Sequence, residues 1–260
     1  KSHSISKFYV NVSPPSIDIM EHCRSSSKQI IRDNNLYKKK ILGVLAGYSD
    51  MFGSKKQYNK CWDTIIDLAS NNNIFLLVKP KNLDDFSKNY PLIYKKLRDL
   101  ENREKCLILY TRKGRPSPLT IGFIADLVVG FSIISSAVIE ASISGTPGIH
   151  ISFMCATDKH DLYTYGKERY VFTELKKAKK EILEFFNNEN LSRVKMSTKE
   201  YNYLIDPHNG EKPYLRSKYV GILYDFLVAG HSKDTAIMKT NSEFKKIHGD
   251  EVVTCHQLSE

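Results

Sequence analysis

Short apolar runs alternate along this chain with stretches whose apolar residues recur at helical spacing. The apolar runs have the length of buried strands, and they lie at 40–46, 74–78, 106–110, 125–129, 148–153 and 170–172. The stretches of helical spacing lie at 17–34, 58–70, 92–100, 173–188 and 215–227, with a short helix or turn at 116–124. Strands that alternate with helices in this way predict an α/β fold, a Rossmann-like parallel sheet with helices on both faces.

The chain is predicted to have three parts. Residues 1–40 contain the pair Pro14-Pro15 and are interpreted as an interdomain linker or the remnant of an amino-terminal domain. Residues 41–230 carry the alternating pattern and are predicted to form the Rossmann-like domain. Residues 231–260 are polar, and we interpret them as a carboxyl-terminal tail that is only partly ordered.

A serine-rich turn follows the predicted strand at 125–129 and leads into a helix and the strand at 148–153, which makes a βαβ unit. The turn contains Ser132, Ser135 and Ser136. Free backbone N–H groups and the helix dipole make such a turn suitable for binding a phosphate. The alternative interpretation is ordinary helix capping, for which serine is also favoured.

Glu140 lies one helical turn beyond Ser136, so both residues share one face of the predicted helix. An acid inside an otherwise apolar helix needs a reason. A carboxylate at this position can accept two hydrogen bonds from a ribose diol, and the alternative is a carboxylate exposed to solvent. We predict the ribose-binding role.

Parallel α/β sheets bind ligands beyond the carboxyl ends of their strands. Residues suited to nucleotide binding follow several predicted strands at that edge: Gly47, Tyr48, Ser49, Lys79, Pro80, Tyr110 and Arg112. Gly47 allows a ligand to approach the backbone closely, and Lys79 can neutralise a phosphate as a point charge. The alternatives are a plain loop glycine and a solvated lysine at the end of a strand.

The charge of the chain is strongly basic, with 39 Lys and Arg against 29 Asp and Glu and a formal net charge of +10. This balance suits an anionic partner such as a nucleotide, a polyanionic acceptor, an acidic membrane surface or a nucleic acid. A merely basic surface is the alternative. We expect no nucleic acid, because basic strands with interleaved aromatic residues and recognition helices are not apparent.

Five scattered cysteines without paired spacing indicate neither a disulfide framework nor a zinc site, so a reducing cytoplasm is expected. His150, His160 and His208 have no metal-ligand spacing, and we predict no metal. The apolar stretch at 121–143 contains Asp126 and Glu140. Since each charge at the centre of a bilayer costs about 3 kcal/mol, we interpret this stretch as a buried core.

Six segments together carry a family resemblance. They are NVSPPSID at 11–18, VLAGYS at 44–49, LLVKPK at 76–81, ADLVVGFSIISSAVIEASISGTPGI at 125–149, ERYVF at 168–172 and IDPHNGEKPYLR at 205–216. The chain resembles the carboxyl-terminal, donor-binding half of GT-B glycosyltransferases, in particular enzymes that make bacterial surface or capsular polysaccharide. The third segment resembles their His-Pro element with Lys79 in the place of the histidine. The fourth resembles the serine pair and glutamate that hold the donor phosphate and ribose. The last is similar to a D-G-K-A-x-x-R box and adds Asp206, Lys212 and Arg216 as cleft residues.

The resemblance implies a glycosyltransferase that transfers a sugar from a nucleotide sugar to a growing bacterial surface polysaccharide or a lipid-linked glycan. It implies no cofactor, and the missing histidine disfavours a cytidine monophosphate donor. In this family an amino-terminal Rossmann domain normally holds the acceptor. The chain is therefore expected to be a fragment, to use a partner chain or to be an unusually short enzyme. It is expected in the cytoplasm, with peripheral contact at the inner face of the membrane.

Two other functions are compatible with the same residues. A sugar-nucleotide epimerase of the same fold would need acid and base side chains in the cleft, and we identify none. A non-catalytic basic module that binds polyanions would explain the charge without any chemistry. No nucleophile, catalytic triad or pair of carboxylates is recognisable, so the catalytic residues are not assigned.

Overall fold

Six strands form one sheet in the described part of the chain, and every neighbouring pair of strands is parallel. The strands are β1 (Ile41–Leu45), β2 (Phe75–Val78), β3 (Cys106–Ile108), β4 (Leu127–Gly130), β5 (Gly148–Ile151) and β6 (Val171–Phe172). This computed structural model describes residues 17–47, 54–109, 116–131, 135–153, 163, 166–188 and 215–248. The predicted α/β class with a Rossmann-like parallel sheet is confirmed.

The strand order across the sheet is β3-β2-β1-β4-β5-β6. Residues of β1 pair with β2 on one side and with β4 on the other, so the chain crosses from one half of the sheet to the other between β3 and β4. All five residues of β1 are buried, as expected for a central strand covered on both faces. This order places the carboxyl ends of β1 and β4 next to each other at the centre of the sheet.

The helices of the described chain follow the predicted pattern, with two additions. They are α1 (Ile17–Asp33), α2 (Lys55–Asn71), α3 (Leu83–Asn89), α4 (Pro91–Asn102), α5 (Pro118–Gly122), α6 (Ser136–Ser142), α7 (Leu175–Asn188), α8 (Leu215–Val228) and α9 (Lys233–His248). Helices α3 and α9 are the two that the pattern does not predict. Asn82 caps the start of α3, and its side chain accepts hydrogen bonds from the N–H groups of Asp84 and Asp85. This is a strong local start signal for a helix of only seven residues.

Helices α2, α4 and α7 cover one face of the sheet, which we call the aromatic face. Its core contains most of the large buried rings, among them Tyr58, Trp62, Phe86 and Phe131. Trp62 is fully buried and lies edge-on to Phe131 with ring centroids 5.2 Å apart. Such ring pairs add to the stability obtained from burial alone. The core of the aromatic face is therefore built mainly from large rings.

Helices α1, α5 and α6 cover the other face, which we call the aliphatic face. Its core consists mainly of Ile, Leu, Val and Ala, with Phe75 as its one buried ring among the described residues. Helices α5 and α6 approach each other closely, since a Cβ atom at Gly122 would lie 2.2 Å from the carbonyl oxygen of Ala141. The Thr146 hydroxyl donates to the carbonyl oxygen of Gly122. The predicted helices on both faces of the sheet are thus present.

The chain divides into two compact units, residues 1–207 and 208–260. This division differs from the predicted one, which ended the Rossmann-like domain at residue 230 and treated 231–260 as a partly ordered tail. In the second unit α9 occupies much of that tail. Its Ala236, Thr240 and Phe244 are buried at a spacing of four residues, and the burial of one helical face explains why this polar segment is helical.

Candidate functional site

The reversal of strand order between β1 and β4 defines the expected position of a ligand in a parallel sheet. Gly47 follows β1 closely, and Phe131 follows β4 directly. Lys79 and Pro80 follow β2, the neighbour of β1. The sheet therefore brings three of the predicted site residues to one edge, beside the point where the strand order reverses.

Gly47 has open space where a side chain would be, since no described atom lies within 4 Å of a Cβ atom placed there. Its backbone φ is outside the left-handed region that favours glycine. Neither packing against described residues nor backbone geometry therefore requires glycine here. The Tyr58 hydroxyl donates to the Gly47 carbonyl oxygen at 2.8 Å, which fixes the start of the loop.

Lys79 extends the sheet ladder beyond β2, since its N–H donates to the carbonyl oxygen of Val44 at 3.0 Å. Its side chain is half-buried, and the following Pro80 is buried. The positive charge of Lys79 acts on the carboxylate of Glu140. Two predicted site residues 61 positions apart in the sequence, Lys79 and Glu140, are therefore electrostatic neighbours.

Glu140 is half-buried in α6, and burial raises the pKa of its carboxyl above the ordinary value. The Leu119 N–H, at the beginning of α5, donates a hydrogen bond to this carboxylate, and that bond and Lys79 oppose the rise. An ionised carboxylate offers about four lone-pair sites, so one backbone donor leaves acceptor capacity for a ligand. The proposed contact with a ribose stays a prediction.

Asp126 gives a useful contrast, because it is the other acid of the apolar stretch at 121–143. Its carboxylate accepts the Ile41 N–H at 2.7 Å, and burial also raises the pKa of its carboxyl. Ile41 begins β1 and Asp126 precedes β4, so this pair lies at the amino edge of the sheet. Both acids bind a backbone N–H, but only Glu140 lies toward the edge where ligands bind.

Ser135 and Ser136 begin α6, as predicted. Ser135 is the residue before the helix, and its hydroxyl makes no capping hydrogen bond, which argues against the capping interpretation for that side chain. Ser136 is exposed. A Cβ atom at Gly130 would lie 2.3 Å from a methyl group of Val138, so the end of β4 and the start of α6 are in close contact.

The other predicted site residues cannot be placed in this edge. Tyr48, Ser49, Tyr110, Arg112, Ser132, Asp206 and Lys212 lie outside the described residues, and Arg216 is in α8 with its side chain outside the description. Tyr58 was not predicted as a site residue. Its signal is a tyrosine at a core position of an amphipathic helix, because a buried hydroxyl needs a hydrogen-bond partner.

The described ranges contain neither a metal-binding cluster nor a membrane-spanning helix. There, no group of three or more His, Cys, Asp and Glu side chains has an arrangement that could hold a metal ion. None of the helices described is long and apolar enough to cross a membrane.

No family model and no curated protein matches this chain. Solved structures do match: HepE from Anabaena, in complex with UDP and glucose, is 12% identical with a TM-score of 0.51, and the match covers 70% of this chain and 48% of HepE. The α,α-trehalose 6-phosphate synthase from Burkholderia multivorans is 10% identical with a TM-score of 0.53, and the match covers 85% of this chain and 51% of that enzyme.

The chain thus spans about half the length of these two structures. It has the Rossmann-like fold of one half of a GT-B glycosyltransferase, which confirms the fold that the sequence resemblance implied. At this level of identity the likeness concerns the fold alone.

Proposed function

We propose that this chain is the donor-binding half of a GT-B glycosyltransferase and binds a nucleotide sugar at the carboxyl edge of β1 and β4. The observation that carries the proposal is the convergence of Lys79 and Glu140 beside the strand-order reversal. A cation and a carboxylate at this edge match two parts of a nucleotide, its phosphates and its ribose. The phosphates require positive charge, and the ribose diol requires an acceptor.

Each residue then has a distinct role. Lys79 neutralises a phosphate and stabilises the nucleotide as it leaves the sugar, which is the electrostatic part of catalysis that a donor half can supply. Glu140 accepts hydrogen bonds from the ribose hydroxyls. The open space at Gly47 lets the ligand approach the backbone. Ser135 and Ser136 add hydroxyl and N–H donors to the same phosphate.

The ligands bound in two of the matched structures support this class of ligand. HepE was solved with UDP and glucose and also with UDP-glucose, the latter at 11% identity and a TM-score of 0.50. The acceptor is a bacterial surface polysaccharide or a lipid-linked glycan, as the sequence resemblance implies. The base that activates the acceptor would belong to the other Rossmann half or to a partner chain. The reaction would take place in the cytoplasm, with contact at the inner face of the membrane, and without a metal or cofactor.

Nucleotide binding tests the proposal directly. The 260-residue chain is mixed with CMP, CDP, UDP, GDP or dTDP, and the melting temperature and the Kd are measured. We expect one nucleoside diphosphate to raise the melting temperature, and Glu140→Gln to weaken its binding about tenfold, the value of one charge-assisted hydrogen bond. Asp126→Asn is the matched control, since it changes an acid with the same kind of backbone partner at the opposite edge.

The control is expected to leave the Kd unchanged even where it lowers stability. Equal effects of both variants on the Kd would contradict the proposed role of Glu140 in binding the ribose. A chain that binds no nucleotide of the panel but binds heparin or random oligonucleotides in a salt-sensitive way would contradict the proposal and favour a polyanion-binding module.

A further inference from the structure

Tyr58 is a buried tyrosine whose hydroxyl points to the start of the candidate site. Its side chain is fully buried in the aromatic face, and the hydroxyl donates to the Gly47 carbonyl oxygen at 2.8 Å. Burial raises the pKa of the Tyr58 hydroxyl above its ordinary value, so it stays protonated at neutral pH and can keep donating. The hydrogen bond joins α2 to the segment that leaves β1.

The ring of Tyr58 contacts two further segments of the same edge. Its centroid lies 4.8 Å from that of Tyr90, which connects α3 to α4 after the exit from β2. It lies 5.7 Å edge-on from Phe131, the first residue after β4. The Tyr58 side chain therefore contacts three segments. They are the chain as it leaves β1, the chain as it leaves β4, and the connection between α3 and α4 that follows β2. These are the strands whose ends form the candidate site.

We propose that Tyr58 is a positioning residue for nucleotide binding: through its hydroxyl it fixes Gly47, and through its ring it fixes Phe131, on opposite sides of the strand-order reversal. The inference rests on the proposed function. Tyr58 does not itself touch the nucleotide, because it is enclosed by protein on every side. Its effect is to hold the two strand exits at a fixed separation, which reduces the ordering that a ligand would otherwise have to impose.

The variant Tyr58→Phe removes only the hydroxyl. Tyr170→Phe is the matched control, because Tyr170 is equally buried in the same core but precedes β6, away from the reversal. The tightest-binding nucleotide among UDP, GDP, CDP and dTDP is titrated at 10 °C into each variant, after circular dichroism has verified folding. We expect Tyr58→Phe to raise the Kd about three- to tenfold, the effect of one lost hydrogen bond, and Tyr170→Phe to leave it unchanged.

A double variant separates positioning from a general loss of stability. If Tyr58 acts through Gly47, then Tyr58→Phe relaxes the loop and relieves part of the obstruction caused by Gly47→Ala. The Kd of the double variant is then lower than the product of the two separate increases predicts. A merely structural role would give a product of independent effects. Should Tyr58→Phe fail to fold, Phe131→Leu tests the ring contact and is expected to raise the Kd about twofold or more.

The outcomes distinguish this inference from the proposed function. A wild-type chain that binds none of these nucleotides overturns the proposed function and the inference with it. A wild-type chain that binds, with an unchanged Kd in Tyr58→Phe or independent effects in the double variant, overturns the positioning role and leaves the proposed function standing. If only Phe131→Leu can be measured, an unchanged Kd in that variant has the same meaning.

Discussion

On the aromatic face, the helices α2, α4 and α7 pack large rings against the sheet, whereas on the aliphatic face α5 and α6 are short and pack through small residues. Trp62 and Phe131 fill the first core. Gly122 and Ala141 mark the second, where two backbones nearly touch. We call the ring-filled aromatic face the thick side of the sheet and the aliphatic face, with its close contact of α5 and α6, the thin side.

This difference has a consequence for the candidate site. Close approach on the aliphatic face allows a side chain of α6 to reach the backbone of α5, and the Glu140 carboxylate accepts the Leu119 N–H in this way. The aromatic face contributes a fixed side chain, since Tyr58 reaches from α2 to Gly47. The thin side of the sheet thus supplies the carboxylate of the candidate site, and the thick side supplies the tyrosine that holds the chain after β1.

The largest expected effect is the loss of a ring from the thick side. Trp62→Ala removes a fully buried side chain that contacts Phe86 and Phe131, and we expect it to lower the free energy of unfolding by about 3–5 kcal/mol. Urea denaturation measures the change. Leu92→Ala, at a position 76% exposed, is the control and should change stability by less than about 0.5 kcal/mol. A similar cost for both variants would show that the rings do not carry the stability of this face.

A smaller effect is expected from adding one methyl group to the thin side. Gly122→Ala places a Cβ atom 2.2 Å from the Ala141 carbonyl oxygen, so α5 and α6 must separate, at a cost of about 1–3 kcal/mol. Gly47→Ala adds the same atom in open space and should leave stability within about 0.5 kcal/mol while weakening nucleotide binding. Equal stability of the two variants in urea would contradict the close approach of α5 and α6.

The smallest expected effect is a pH dependence on the thin side. Because burial raises the pKa of Glu140 in the folded state, the folded chain holds this proton more tightly than the unfolded chain. The contribution of Glu140 to stability is therefore greatest at low pH and is lost as pH rises from the ordinary glutamate value, about 4.3, through the raised value. Unfolding free energies of the wild type and Glu140→Gln, measured from pH 4 to pH 7, should show the wild type losing stability relative to the variant. A constant difference would mean that the pKa of Glu140 is not raised.

Much of the fold could be predicted from local pattern. The helix predicted at 17–34 is observed at Ile17–Asp33, and the strand predicted at 74–78 is observed at Phe75–Val78. Helix α3 was missed because seven residues are too few to show a helical period. Helix α9 is not predicted although Ala236, Thr240 and Phe244 recur every four residues, because most of its other positions are polar and the segment has the composition of a tail.

The candidate site was predictable only in part. The rule that ligands bind at the carboxyl ends of strands predicts Gly47 and Lys79, and the helical spacing from Ser136 predicts Glu140. It could not reveal that Leu119 supplies a backbone donor to Glu140, or that Tyr58 holds Gly47. A backbone N–H has no signature in the side-chain sequence. A core tyrosine indicates that its hydroxyl needs a hydrogen-bond partner, but the sequence does not identify that partner.

The sequence by itself determined the succession of strands and helices, because the spacing of apolar residues within ten or fifteen positions decides which backbone conformation can bury them. The tertiary structure alone decided which strands are neighbours. Leu42 pairs with Leu76 on one side and with Leu127 on the other, and many apolar strands could have competed for those places. That choice depends on the packing of both faces at once, and it is what brings the ends of β1 and β4 together with Lys79 and Glu140 nearby.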